Sequence, residues 1–424
     1  MRRTARDKRD RARPAPIRHI ELNEEHVGRR LTIAIVLLLV GVVMLVYAFM
    51  QLLSPGSEWM TVEASASGGT GCGTEFTFLY HLGSGEQSPS AERKEVAALY
   101  TRLCREAYQL FHSVEGFDGV VNLYAINRRP NEAVEVDEGL YEAFAAVERS
   151  GSRAIYLGPV YNRYDDLFFC EDDSQLVNFD PRISPEVAQE YQEIAAFAND
   201  PDAVRVELLG EGRIRLAVSE EYLAYAQREG VTDFVDFGWM RNAFVADFLA
   251  RELSAEGYTR GSLSSYDGFI RNLDGSGTSY SLNICDRRDG VVYGAAVMNY
   301  RGPMSMVALR DYPVNELDQY RFYQLSSGEM RTPYLDLSDG LCRSALHDLT
   351  CYSTDQGCGE TLLAMLPVYI ADGLLPEELA RLAEEGVQSI YCQDRVIWHT
   401  DPALELEGLF TREDVQYTEA LLKP

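Results

Sequence analysis

Residues 31–53 are uncharged along their whole length and consist mainly of Leu, Ile, Val and other apolar residues. An α-helix rises ~1.5 Å per residue, so a helix over this segment would extend ~34 Å, enough to cross a hydrocarbon core of ~30 Å. The pattern therefore predicts one transmembrane helix. A buried core helix is disfavoured, because no flanking segment would cover such a helix on all sides.

Basic residues are concentrated on the N-terminal side of this segment. Residues 1–30 contain ten Arg and Lys against five Asp and Glu, and no Arg or Lys follows residue 53 before Arg93. Because positively charged flanks stay in the cytoplasm, we expect a basic cytoplasmic tail and a single-pass protein of the cell membrane whose bulk is extracytoplasmic. A cleavable signal peptide is the alternative; the long apolar stretch favours an uncleaved signal anchor.

The composition changes after the apolar segment. Residues 54–71 are rich in Gly, Ser and Ala, which predicts a stalk. Over residues 72–424 strand-like alternation and helical periodicity intermix without an evident boundary, which predicts one α+β domain. Strands are predicted at 74–81, 203–208, 213–218, 280–286, 291–297, 388–391 and 395–399, and helices at 91–112, 185–199, 243–256, 360–371 and 376–385.

The charge balance restricts the class of partner. The chain has 39 basic and 66 acidic residues and a formal charge of −27. Since the tail carries +5, the remainder carries −32, and a body this acidic repels nucleic acid. The acidic run from Asp165 to Asp173 lacks the glycine and the ligand spacing of an EF-hand, and we interpret it as a solvated loop.

All eight cysteines lie after residue 71, in the part expected to be extracytoplasmic. They show no Cys-x-x-Cys spacing, which argues against a cysteine zinc site. An even number of cysteines in an exported domain is compatible with disulfides, whose pairing spacing alone does not define. Cys351 and Cys358 are the closest pair and the first candidates for a bridge; free, partly buried thiols are the other interpretation.

A series of short motifs runs through residues 72–400. Cys72-Gly73-Thr74 precedes the first strand, residues 122–127 (NLYAIN) follow the first long helix, and residues 235–247 (VDFGWMRNAFVAD) lead into a later helix. Residues 265–270 (SYDGFI) and 334–340 (YLDLSDG) complete the series. In this order the motifs resemble those of the ApbE family, the FAD:protein FMN transferases.

The resemblance implies an ApbE-type α+β fold and a reaction that cleaves FAD and moves FMN to a Ser or Thr hydroxyl of an exported protein partner. Such phosphoryl transfer needs a cation, usually Mg²⁺, that neutralises the pyrophosphate. By the resemblance, the candidates for binding the FAD cofactor are the residues that fit the family motifs: Gly73, Thr74, Gly238, Asp247, Asp267, Gly268, Asp336 and Gly340.

Several residues that the family's chemistry requires are replaced in this chain. By the resemblance, the metal-binding Asp and Thr fall on Gly359 and Leu363, the Lys falls on Asn242, and the His falls on Pro333. We therefore assign no catalytic residue and no metal ligand. Glu360 is the remaining metal candidate, although a shift of one residue along a helix turns a side chain by ~100°.

Two functional hypotheses follow from these replacements. The first is a degenerate, non-catalytic ApbE homologue, a pseudoenzyme that acts as a binding or scaffold module in a membrane-associated assembly. The alternative is an active, divergent, Mg²⁺-dependent FAD:protein FMN transferase that uses Glu360, Asp336 or Asp247 for the metal. A flavin carrier that binds FAD without cleaving it is a third hypothesis.

Overall fold

The computed structural model describes residues 59–65, 71–83, 88–314, 316–412 and 415–422. The predicted cytoplasmic tail and transmembrane helix, residues 1–53, lie outside this part of the chain. Within it, no helix combines the length and the apolar character needed to span a bilayer. Residues 59–62, which their composition assigned to a stalk, form the first strand and belong to the folded domain.

A nine-stranded sheet forms the centre of the domain, in the order β1-β2-β6-β7-β10-β13-β14-β15-β19. Neighbours are antiparallel except β15 and β19, which are parallel. Its strands are β1 (Trp59–Val62), β2 (Phe76–His81), β6 (Gly261–Ser265), β7 (Phe269–Asn272), β10 (Met304–Arg310), β13 (Asp348–Ser353), β14 (Gln388–Gln393), β15 (Val396–His399) and β19 (Thr418–Leu421).

The central strands of this sheet are covered on both faces. In β10, Val307 and Leu309 belong to the main core, whereas Met304 and Met306 belong to a second, smaller core. Side chains of a strand point alternately to opposite faces, so the two cores lie on the two sides of the sheet. This explains why the continuous apolar run of β10 is buried rather than half exposed.

Helices cover the face with the main core. The first is α1 (Pro89–Leu110). Helix α7 (Arg241–Ala255) packs beside α1 and against β7, and α8 (Cys358–Tyr369) packs beside α7 and against β10. The remaining helices are α2 (Leu123–Asn127), α3 (Glu138–Ser150), α4 (Gly158–Asp165), α5 (Pro185–Asn199), α6 (Glu220–Glu229) and α9 (Pro376–Glu384).

A three-stranded sheet covers the opposite face. It contains β8 (Ser279–Arg288), β9 (Val291–Arg301) and β16 (Glu405–Glu407), with β9 in the centre. Another three-stranded sheet lies among the helices and contains β3 (Ala133–Glu135), β5 (Arg213–Val218) and β4 (Val204–Gly210). The short strands β11 (Tyr323–Gln324), β12 (Met330–Arg331), β17 (Thr411–Arg412) and β18 (Val415–Gln416) form two separate pairs.

The elements predicted from periodicity are confirmed, with ends that differ by a few residues. Ser184 caps the N-terminus of α5, because its hydroxyl accepts a hydrogen bond from the Val187 N–H at 3.4 Å. The hairpin of β4 and β5 turns between Gly210 and Gly212, both at positive φ. The predicted helix at 360–371 begins two residues earlier, at Cys358, and this places its N-terminus against Asp247.

The structure agrees with the interpretation of the cysteines as free thiols and does not contain the predicted Cys351–Cys358 disulfide. Every cysteine is a free thiol in the described residues. Cys351 lies in β13, where its sulfur is 3.4 Å from Ser389 Oγ, and the Cys358 sulfur donates to the Ile270 carbonyl at 3.2 Å. The two side chains therefore have different neighbours, although seven residues separate them in sequence.

Candidate functional site

A cleft of about 300 Å³ lies beside the start of α7. It is bounded by the segment before β2, the end of α1, the end of α4, the β6–β7 turn and residues 320–333. Charged side chains line it, and so do five aromatic rings. The charged residues of the lining are Glu75, Asp165, Asp236, Arg241, Asp267 and Arg321, and the rings are Phe111, Phe168, Phe169, Trp239 and Tyr320.

Positions that the resemblance singled out meet in this cleft. Of the FAD-binding candidates, Gly238 and Asp267 line it. Asn242 and Pro333, which stand where the family has Lys and His, line it as well, 91 residues apart in sequence. Part of the motif series thus meets in one concave site, and the Lys and His positions of the family are occupied there by groups that neither carry a positive charge nor accept a proton.

The turn before α7 is built on Gly238. Its φ is +50°, and a Cβ there would lie 2.7 Å from Cδ2 of Tyr161, so the backbone packs directly on the tyrosine ring. The Gly238 N–H donates to Asp236 Oδ1 at 2.8 Å. This contact fixes Asp236 at the floor of the cleft, where burial raises the pKa of its carboxyl.

Both arginines of the cleft are already paired with carboxylates. Arg241 Nη2 lies 2.7 Å from Glu75 Oε2, and Arg321 Nη1 lies 3.1 Å from Asp267 Oδ2. Asn242 Nδ2 donates to the same Asp267 oxygen at 3.0 Å. Burial raises the pKa of Asp267, against the opposing effect of Arg321. The positive charges of this site therefore offset carboxylates of the protein itself.

Two carboxylates remain without such a partner. Neither Asp165 nor Asp236 forms an ion pair with any residue of the described chain. The pKa of Asp165 is raised to about 6 because the walls of the cleft desolvate it and because Asp236 repels its charge. With four carboxylates and two guanidinium groups, the cleft has a formal charge of −2 when all are ionised.

Asp247 and Glu360 lie in a second depression, separate from the cleft. The Asp247 carboxylate accepts the N–H groups of Cys358 and Gly359, each at 2.8 Å, and so caps the N-terminus of α8. Arg271 Nε is 3.3 Å from Asp247 Oδ1. The helix N–H groups and the Arg271 guanidinium thus neutralise the Asp247 carboxylate, as a bound cation would otherwise do.

The position of the family's metal-binding Asp has no room for a side chain. A Cβ on Gly359 would lie 2.7 Å from Cε1 of Phe244 and 3.3 Å from Oδ2 of Asp247. The neighbouring Glu360 is turned away from Asp247 toward Arg149, whose Nη2 lies 2.7 Å from its carboxylate. No group of three or more His, Cys, Asp or Glu side chains in the described residues is arranged to hold a metal ion. These residues do not fit Mg²⁺.

Asp336 and Gly340 lie in a tight turn outside the cleft lining. Asp336 Oδ1 accepts the Ser338 N–H at 2.7 Å, and its other oxygen is 2.8 Å from Arg343 Nη1. Gly340 has φ +72°, and a Cβ there would lie 2.9 Å from Cβ of Tyr191. Close packing and turn geometry account for both residues without a ligand.

The other candidates also have structural surroundings. Gly73 and Thr74 belong to a short 3₁₀ turn just before the cleft residue Glu75, and a Cβ on Gly73 would lie 2.4 Å from Ala64 Cβ. Gly268 has φ +99° and packs on the Ala308 carbonyl, 2.2 Å from where a Cβ would lie. These three residues flank the cleft but do not line it.

Sequence reasoning did not identify three charged residues of the cleft as site residues. Glu75 and Arg321 carry no motif signal, because each acquires its role through a partner more than 50 positions away. Asp165 was interpreted as part of a solvated acidic loop, and the structure instead places it in the cleft lining. Elsewhere in that run, Asp172 caps a 3₁₀ helix at Ser174 N–H, 2.9 Å away, and Asp173 accepts a hydrogen bond from the distant Tyr323 hydroxyl at 3.0 Å.

Comparisons with known proteins identify the fold. No protein-family model and no curated protein matches the chain. Among solved structures, the chain is similar to the ApbE protein of Thermotoga maritima, with 16% identity, a TM-score of 0.51, and coverage of 84% of this chain and 100% of that one. The flavin transferase ApbE of Vibrio cholerae also matches, with 14% identity, a TM-score of 0.49, and coverage of 80% and 94%. The first similarity, together with the mixed sheet-and-helix architecture, shows that this chain has the ApbE fold.

Proposed function

We propose that this protein is a non-catalytic ApbE-fold module, anchored in the cell membrane by residues 31–53, that acts by binding a ligand or partner outside the cell. It is proposed to have lost FMN transfer. This proposal depends on the surroundings of the position at which the family binds its metal. Arg271 and two helix N–H groups neutralise the Asp247 carboxylate there, and Phe244 occupies the space beside Gly359.

The charge of the cleft supports the same proposal. FAD carries a pyrophosphate with two negative charges, and phosphoryl transfer requires that positive groups neutralise it. Here both guanidinium groups are paired with carboxylates, and the formal charge of the lining is already −2. At ~4 Å and an effective dielectric constant near 20, each like-charge pair costs about 4 kcal/mol. The residues present do not fit a bound pyrophosphate.

The position of the family's His supplies no proton acceptor either. Pro333 has no titratable group, and the imidazole in the cleft lining belongs to His112. Burial and Arg241 lower the pKa of His112, and its Nδ1 accepts the N–H groups of Val114 and Glu115 at 3.2 and 3.0 Å. That nitrogen is therefore engaged with the backbone and is not free to take a hydroxyl proton.

The direct test is an FMN-transfer assay on the full chain, purified in detergent, with FAD, Mg²⁺ and a Ser/Thr acceptor protein from the same exported compartment. The flavin transferase ApbE of Vibrio cholerae serves as positive control. We expect no covalent flavin on the acceptor by in-gel fluorescence. Mg²⁺-dependent labelling above the no-enzyme level would support the divergent transferase instead, and Glu360→Ala would then test whether Glu360 holds the metal.

A further inference from the structure

The cleft contains a buried acceptor without a donor. Asn242 is 4% exposed, and its Nδ2 is fixed by the Asp267 carboxylate, which only accepts. This contact defines the orientation of the amide, so Oδ1 is the free end. Asn242 Oδ1 is buried without a hydrogen-bond partner in the described residues, and Asn242 is one of the residues that line the cleft. Because an unsatisfied buried acceptor costs ~1–3 kcal/mol, the site is complementary to a ligand that donates hydrogen bonds.

The charges of the cleft determine that the ligand should be positively charged. Asp165 and Asp236 both line the cleft, where the charge of Asp236 raises the pKa of Asp165, and neither has an ion-pair partner in the described chain. Arg241 and Arg321 are committed to Glu75 and Asp267. A cation between Asp165 and Asp236 would relieve their repulsion and bring the formal charge of the lining toward zero.

The walls select an organic cation over a metal ion. Aromatic rings of Phe111, Phe168, Trp239 and Tyr320 line the cleft. A hydrated divalent metal gains little from such walls and needs six or more oxygen ligands. An ammonium or guanidinium group on a short carbon chain gains from both parts of the site, since its charge meets the carboxylates and its carbons and charge pack on the ring faces.

We propose that this cleft binds a small organic cation, an alkylammonium or guanidinium compound, between the carboxylates of Asp165 and Asp236 and the aromatic wall, with Asn242 Oδ1 as an additional acceptor. The inference rests on the proposed function, because a cleft that held FAD would not be open to such a cation. The volume of about 300 Å³ is at the lower end of the range for small-molecule sites and suits a compound of this size.

Isothermal titration of the full chain in detergent, at low salt and near neutral pH, tests the proposal with putrescine and agmatine as probes. The uncharged analogue 1,4-butanediol and MgCl₂ are the control ligands. We expect saturable, sub-millimolar binding of putrescine or agmatine and none of butanediol. Asp165→Asn removes one unpaired carboxylate at the cleft mouth and should weaken binding about tenfold or more.

Asp166→Asn is the matched control, because Asp166 is the adjacent aspartate and is exposed like Asp165, but it does not line the cleft. It should bind like wild type, and thermal unfolding should show that both variants are folded. No saturable amine binding, equal loss in both variants, or binding of Mg²⁺ in place of the amines would overturn the proposal. FMN transfer by the same preparation would overturn the proposed function, whereas absence of both transfer and amine binding overturns only this inference.

Discussion

The substitution Gly359→Asp restores the family's metal-binding Asp. It tests whether the Mg²⁺ site lacks only this residue or can no longer be formed. If the metal site were intact except for this residue, the substitution would restore Mg²⁺ binding. The structure predicts the opposite. Gly359 lies in the first turn of α8, where a Cβ would be 2.7 and 2.8 Å from two ring atoms of Phe244. Phe244 is 3% exposed and packs on Phe237, with ring centroids 4.5 Å apart, so it has little freedom to move.

The expected cost has two parts. Carbon atoms in contact normally lie ~3.5–4.0 Å apart, and forcing additional atoms into a packed core costs roughly 1–3 kcal/mol. The new carboxylate would also lie near Asp247, whose Oδ2 is 3.3 Å from the Cβ position. Two carboxylates ~5 Å apart repel by about 3 kcal/mol at an effective dielectric constant of 20. The sum is about 4–6 kcal/mol, which lowers the Tm by ~8–12 °C at ~2 °C per kcal/mol.

Thermal unfolding of the full chain, with and without Mg²⁺, measures this cost. Gly359→Ala isolates the steric part and should lower the Tm by ~2–6 °C. Gly373→Asp adds the same carboxylate at a glycine whose Cβ would meet nothing within 4 Å, and it should leave the Tm unchanged. The reasoning fails if Gly359→Asp is as stable as Gly359→Ala, or if Mg²⁺ raises the Tm of Gly359→Asp and not that of wild type.

Further predictions concern buried and exposed charges. Arg331 Nε lies 2.6 Å from the buried Asp180 carboxylate, and Arg331→Met removes this partner. The substitution should lower the free energy of unfolding, measured in urea, by about 3–5 kcal/mol. The double variant with Asp180→Asn should largely recover this loss. Burial raises the pKa of Asp348 in the folded protein to about 7. Its protonated form therefore contributes to stability fully below pH ~3.9, and this contribution is lost as the pH rises to ~7. Asp348→Asn should flatten this part of the stability–pH curve, and an unchanged curve contradicts the assignment. Glu360→Ala should change stability by less than ~1 kcal/mol, because its pair with Arg149 is largely exposed; a larger loss by chemical denaturation would mean that Glu360 has a role beyond this pair.

Secondary structure was predictable because it depends on local signals, and part of the cleft was predictable from the family resemblance. Periodicity marks α1, α5 and the β8–β9 hairpin directly, and motif order brought Gly238, Asn242 and Pro333 to one site. Positive φ at Gly238 and Gly268 follows from turns that only glycine makes easily. The helices, strands and turns need no knowledge of which distant segments meet, whereas the resemblance alone connects Asn242 with Pro333.

The chemistry of the cleft was less predictable because it depends on distant partners. The pairing of Arg321 with Asp267 joins residues 54 positions apart. The closure of the metal position depends on Phe244 meeting Gly359 across two helices, and no pattern within either helix reports it. Similarly, the Gly, Ser and Ala content of 54–71 could not indicate that residues 59–62 pair with β2 at the edge of the sheet.

The parallel strand β19 determines how the far edge of the large sheet meets solvent. Without it, β15 would present unpaired backbone groups next to the buried Ile397, the kind of edge that recruits strands from other molecules. Glu419 helps to hold β19 in place, since its Oε1 lies 3.0 Å from His399 Nε2 in β15. Residues 418–421 thus make the edge of the sheet a short, largely exposed strand in place of β15. A chain shortened before Thr418 would be prone to self-association even with its cleft intact.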